Sequence, residues 1–214
     1  MNEPTSIKVV LLGESGVGKT SIINQFISKK FNPKMSTSVS AQFTSKIMEF
    51  PEQKRTLRFD IWDTVGQEKY RSLTKIFYKD AKIIIFVYDI TTEYSFNALQ
   101  TYWYTETVDN TDGEPIYAVC ANKYDLYDKA VVKTEDGKKF ADKIKAIFQN
   151  TSAKSDTGIN ILFENLGKKI INPNYDYKNL KKENIILNES NNNNNNDGKN
   201  GKNNNNGNNK KGCC

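Results

Sequence analysis

Residues 13–20 read GESGVGKT, between an apolar run, IKVVLL (7–12), and a helical pattern, KTSIINQFISKKF (19–31). The eight residues fit G-x-x-x-x-G-K-[ST], a loop that works only where a strand ends and a helix begins. Glycine lets successive backbone N–H groups turn inward, and the helix N-terminus adds partial positive charge, so the loop is a cradle for phosphate. Gly13, Glu14, Ser15, Gly16, Val17, Gly18 and Ser21 would line that cradle. Lys19 would reach the β- and γ-phosphates, and the Thr20 hydroxyl would ligate Mg²⁺.

A strand–loop–helix start implies an α/β chain, and the rest of the pattern agrees. SVSAQFTSKIMEF (38–50) and TLRFDIW (56–62) alternate as strands do, and the polar turn PEQKR between them makes an antiparallel hairpin. A helix-like stretch follows (67–78), then the strand KIIIFVYDI (82–90), whose apolar run suits burial on both faces. TEYSFNALQTYWYTETV (92–108) has helical spacing, PIYAVCANK (115–123) reads as a strand and 134–145 as a helix. AIFQNTSAK (146–154) is a last strand, and GINILFENLGKKII (158–171) an amphipathic closing helix. The expected architecture is a six-stranded, mostly parallel sheet with one antiparallel edge strand and helices on both faces. Residues 1–6 would be a flexible N-terminus, 7–171 the folded domain, and 172–214 a disordered tail. More than half of residues 191–214 are Asn, which cannot bury enough apolar area to offset ordering entropy.

Three further motifs fall at predicted strand ends. Asp63 closes TLRFDIWD, and Gly66 follows three residues later. The carboxylate would hold Mg²⁺ through water, and the Gly66 N–H would meet a γ-phosphate. In NKYD (122–125), the Asp125 carboxylate can accept from both N1–H and the 2-amino group of guanine. Adenine has neither donor, so the wrong base leaves groups unpaired. Asn122 and Lys123 would brace the base and the phosphate loop, and Ser152, Ala153 and Lys154 in TSAK would bring a backbone N–H to the guanine oxygen. Ligands of open α/β sheets bind at this edge.

With WDTVGQEKYRSLT, FYKDA, FVYDIT and a terminal CC, the chain resembles the Rab branch of the Ras-like small GTPases over roughly residues 6–171. The resemblance implies the P-loop GTPase (G-domain) fold and a monomeric, GTP-hydrolysing switch in membrane traffic that uses GTP/GDP and Mg²⁺. It implies effectors for the GTP form, an exchange factor, a GTPase-activating protein, a GDP-dissociation inhibitor and a prenylation escort protein. Gln67 would orient the attacking water, with an activator supplying an arginine. Phe43, Trp62 and Phe77 match a Rab-type aromatic triad that, with Ser38 and Val39, would meet effectors; plain core packing is the other explanation of the three rings.

Two departures bear on turnover. Counting from Phe43, the first-switch hydroxyl that would ligate Mg²⁺ is Ser38 where Rab proteins usually have Thr, with Thr37 as the adjacent alternative. Ser keeps the oxygen but loses the methyl that restricts its rotamers. Val65 stands where the family usually has Ala, and its two extra methyls either displace Gly66 or Gln67 or point away at no cost. A GTP-binding module with negligible hydrolysis is therefore the rival to a working enzyme.

The tail carries its own signals. Ile185, Ile186 and Leu187 form an isolated apolar cluster. They are either the end of a helix or the short motif with which Rab tails engage their escort protein. Cys213 and Cys214 match the double-cysteine ending that implies two geranylgeranyl groups, the number stable anchoring needs. Lys199, Lys202, Lys210 and Lys211 would add attraction to anionic lipid. A coil of about 40 residues has an r.m.s. span of roughly 35 Å, enough to hold the domain off a membrane.

The net charge of +6 raises nucleic acid as a partner, but residues 176–214 carry seven Lys against four acidic residues, mixed with Asn and with no aromatic beyond Tyr177. No nucleic-acid role is expected. MNEPTSIK lacks the charged and apolar regions of a leader, and three cysteines are too few for a disulfide framework, so Cys120 is expected to be a buried core thiol. The expected place is the cytosolic face of an endomembrane or the plasma membrane, with a cytosolic GDP-bound pool.

Overall fold

A computed structural model describes residues 3–33, 42–64 and 75–178 of the chain. β1 (Thr5–Leu12) runs into the glycine loop, and α1 (Lys19–Ser28) leaves it. β2 (Gln42–Phe50) and β3 (Arg55–Asp63) form the predicted hairpin, closed by a 3₁₀ turn at Pro51–Gln53 and a left-handed Lys54. Then come α2 (Lys75–Tyr78) and β4 (Ile83–Asp89). α3 (Glu93–Ala98) passes through a π turn (Leu99–Trp103) into α4 (Tyr104–Asn110). β5 (Ile116–Asn122), α5 (Thr134–Lys143), β6 (Ile147–Asn150) and α6 (Ile159–Ile171) complete the order.

The strands lie in the order β2-β3-β1-β4-β5-β6, with β2 antiparallel to β3 and the others parallel. β4 is buried at every residue, as its unbroken apolar run requires. One face packs Val10, Ile84, Phe86 and Val119 against Phe96, Leu99, Trp103 and Phe140 from α3, the π turn and α5. On the other, Phe26 of α1 stacks on Phe163 of α6 at 3.7 Å, and Phe59 of β3 meets both rings edge-on. Cys120 is fully buried; desolvation pushes its thiol up to about 12, which leaves it without thiolate reactivity.

The elements end where local chemistry ends them. α1 stops at Lys29, whose left-handed backbone (φ 56°) donates its N–H to Gln25 O at 3.1 Å. The predicted single helix over 92–108 is present, but interrupted by the π turn, which periodicity does not reveal. Contacts divide the chain after Tyr175. Of the second unit only Asp176–Lys178 are described, with the Lys178 N–H bonded to the Asp176 carboxylate at 2.9 Å. Among the described residues no helix is long and apolar enough to cross a membrane.

Gly167 in α6 shows how tightly the closing helix is set. A Cβ there would lie 2.1 Å from Phe50 Cζ, with two more ring atoms within 2.9 Å. Exchanging a helical Gly for Ala ordinarily gains about 1 kcal/mol, whereas overpacking costs about 1–3 kcal/mol. Phe50 is 4% exposed and has little room to yield. Gly167→Ala is therefore expected to destabilise by up to about 2 kcal/mol net. A lower urea midpoint at unchanged slope would show it, and a gain in stability would refute the packing.

Candidate functional site

The glycine loop, the ends of β3 and β5 and the loop after β6 converge at the C-terminal edge of the sheet. Gly13 has φ 145°, and a Cβ on it would fall 2.2 Å from Val87 O, so the β4 backbone leaves room for no side chain. Gly18, at φ 97°, faces Asn122, whose Nδ2 would be 2.4 Å from a Cβ. These two positions let the loop lie flat against the neighbouring strands.

Lys19 opens α1 with its side chain folded back into the loop. Its Nζ donates to Gly13 O at 2.8 Å and Glu14 O at 2.9 Å. Burial pushes the ammonium down to about 8, while the carboxylates of Asp63 and Glu14 act the other way. An arriving polyphosphate would add negative charge and favour the protonated form further. Glu14 takes part through its backbone: its side-chain Oε1 instead accepts the indole N–H of Trp103 at 3.0 Å, and both side chains are buried.

Thr20 Oγ1 donates to Asp63 Oδ2 at 2.5 Å, so the hydroxyl and the carboxylate predicted to serve Mg²⁺ are adjacent. Asp63 is 2% exposed at the end of β3. Among the described residues no group of three or more His, Cys, Asp or Glu gathers. One hydroxyl and one carboxylate, both hard oxygens, fit a Mg²⁺ that takes its remaining ligands from water and phosphate; they do not make an all-protein cage.

A cleft of about 420 Å³ opens beside this loop. Gly16, Gly18, Ser21, Asn122, Lys123, Asp125, Ala153 and Lys154 line it, joined by Phe31, Asn32, Pro33 and Leu126, which sequence reasoning did not single out. Asn122 Nδ2 donates to Val17 O at 2.7 Å, and Thr151 Oγ1 to Asn122 Oδ1 at 3.2 Å, so one side chain ties the phosphate loop to β5 and to the loop after β6. Ser152 Oγ donates to Asp125 Oδ1 at 2.6 Å, and Lys154 Nζ lies 3.9 Å from Asp125 Oδ2. Ser15 is exposed at the loop's crest, and Val17 is buried beneath it. Phe31 follows the end of α1 in KKFNP, where its only signal was an aromatic beyond a helix stop; it is 38% exposed in the cleft.

A family model described as the Ras family matches residues 8–172. The chain belongs to the Ras family. Human Ras-related protein Rab-22A is 39% identical over 164 residues, covering 77% of this chain and 83% of that one. Ras-related protein Rab-18 of Caenorhabditis briggsae is 37% identical over 169 residues, 78% of this chain and 81% of that one. Ras-related protein RabJ of Dictyostelium discoideum is 36% identical over 173 residues, 79% and 66% respectively. This Ras-family chain is a Rab-like small GTPase that hydrolyses GTP to GDP as a switch in membrane traffic. Members of the family bind guanine nucleotide with Mg²⁺.

The aromatic triad is assembled on the sheet face that carries Lys8 and Trp62. Phe43 and Trp62 ring centroids are 5.1 Å apart, and Trp62 and Phe77 5.8 Å. Trp62 and Phe77 pack on the core, whereas Phe43 is 56% exposed, so core packing accounts for two rings and leaves the third facing solvent. Thr37, Ser38, Val39, Val65, Gly66 and Gln67 lie outside the described residues, as do Ile185, Ile186, Leu187, the four tail lysines, Cys213 and Cys214.

Proposed function

We propose that the cleft holds the guanine of GTP or GDP and the glycine loop its phosphates. The observation that carries this reading is the pair of hydrogen bonds from Asn122 to Val17 and from Ser152 to Asp125. The first locks base loop to phosphate loop; the second aims a carboxylate at the base slot. Phe31, Lys123 and Leu126 supply apolar lining against which the base would pack. Lys19 holds the β- and γ-phosphate charge, and the Gly66 N–H meets the γ-phosphate. Thr20, Asp63 and the first-switch hydroxyl, Ser38 with Thr37 as its alternative, hold Mg²⁺. When bound, the ion offsets charge on the β- and γ-phosphate oxygens. Gln67 orients the attacking water.

The same proposal extends to the ends of the chain. Cys213 and Cys214 carry two geranylgeranyl groups, Ile185–Leu187 engage the escort protein, and the tail lysines favour anionic lipid. The last helix ends at Ile171, and the compact unit continues to Tyr175 before the tail. The protein works as a monomer on the cytosolic face of a membrane, with a GDP-bound pool held by a dissociation inhibitor. Effectors grip Ser38, Val39, Phe43, Trp62 and Phe77, an exchange factor loads GTP, and an activating protein completes hydrolysis.

Val65 favours a second reading, a module that binds GTP with negligible turnover. Single-turnover hydrolysis of Mg²⁺·GTP separates the two. Slow hydrolysis is expected in the wild type and loss in Gln67→Leu. A misplacement of about 1 Å costs on the order of 100-fold, so a wild type as inert as Gln67→Leu, restored by Val65→Ala, would establish the module instead.

A further inference from the structure

Asp89 ends β4 beside Asn122 of β5, in register with it. It is 5% exposed, and although it lies in FVYDIT no role was assigned to it from the sequence. Both carboxylate oxygens are used. Oδ2 lies 2.7 Å from Lys123 Nζ, and Oδ1 accepts the Thr91 N–H at 2.8 Å and the Thr91 hydroxyl at 2.7 Å. The Asp89 backbone is held as well: its N–H donates to Ser95 Oγ at 3.0 Å, and its carbonyl accepts the Thr92 N–H at 3.0 Å.

Lys123 is a residue with reason to wander. Its backbone is left-handed (φ 62°), its side chain is 34% exposed, and a lysine loses much rotamer entropy when fixed. Yet it is a wall of the base cleft, so its methylenes must stay put. A buried, fully bonded carboxylate on β4 holds the ammonium 2.7 Å away, while Lys123 also lines the cleft.

We propose that Asp89 is a positioning residue for guanine nucleotide, acting through Lys123, with Thr91 holding it in turn. This rests on the guanine-nucleotide reading above. The carboxylate does not touch the nucleotide; it keeps the Lys123 wall formed and so slows release.

The test is dissociation of a fluorescent GDP from the full-length protein with Mg²⁺, in the wild type, Asp89→Asn, Lys123→Met and the double variant. Asn keeps an acceptor for Thr91 and loses the charge for Lys123. Asp89→Asn is expected to release GDP about tenfold faster, since loosening a wall by a fraction of an ångström is felt at this scale. The double variant should be no faster than Lys123→Met alone, because both changes remove one interaction. A merely structural role for Asp89 would give rates that multiply in the double variant, and that result overturns the proposal, as does an Asp89→Asn rate within about twofold of wild type. If circular dichroism shows Asp89→Asn unfolded, Thr91→Val carries the test: a faster release that vanishes in the Lys123→Met background supports the link, and one that persists there overturns it. A wild type that retains no GDP sinks the nucleotide reading itself, and this inference with it.

Discussion

Asp125→Asn is expected to weaken GDP binding on the order of 10³-fold and to turn the preference toward xanthosine diphosphate. An ionised carboxylate accepting two N–H groups makes two charge-assisted bonds, each about 1.5–3 kcal/mol, so about 4 kcal/mol in all is at stake, or three decades in Kd. The amide can accept one N–H, but it presents its NH₂ to the second, and the 2-amino group of guanine has no lone pair to offer. Xanthine has a carbonyl there and pairs with the amide. Ser152 Oγ, 2.6 Å from Asp125 Oδ1, keeps its acceptor in the variant, so the side chain stays aimed into the cleft. Competition of GDP and xanthosine diphosphate for the variant checks this. Equal GDP affinity in variant and wild type would mean that Asp125 does not face the base.

Lys19→Met separates stability from binding. The buried ammonium is held down to about 8 by desolvation, so the nucleotide-free protein carries a cost for it. Met removes that cost and fills nearly the same space, but it leaves Gly13 O and Glu14 O without the donor they have at 2.8 and 2.9 Å. The two effects oppose each other and are of similar size, so nucleotide-free stability is expected within about 2 kcal/mol of wild type. Binding has no such offset. A buried point charge on the phosphates is lost, and GDP affinity is expected to fall at least about 100-fold, or about 3 kcal/mol. The melting temperature with saturating GDP then drops while that of the nucleotide-free protein barely moves. Unchanged affinity would take Lys19 out of the phosphate site.

The parts of the site that were legible in the sequence share a physical cause. In the proposed site GESGVGKT, Asp63 and NKYD would act through a loop's own backbone or through a side chain at a strand's last residue, so local pattern and position suffice. What stayed hidden joins distant segments through one side chain. Nothing near Glu14 points to Trp103, 89 residues away, or to the π turn that carries it. Phe31 matters because α1 stops at Lys29 and hands the chain to the cleft. Asp89 closed an apolar strand as many aspartates do, and its bond to Lys123 appears only once β4 and β5 lie side by side.

By itself the sequence determined the class of fold and placed the glycine loop and NKYD at strand ends, where the proposed phosphate and base sites lie. Strand and helix periods, glycine positions and strand-end polar residues are short-range properties. The tertiary structure alone decided the strand order, the packing of two triad rings on the core with the third exposed, the cleft walls and the bracing of Lys123 and Asn122. Those depend on which segments become neighbours, and that is settled by burying the two faces of the sheet together.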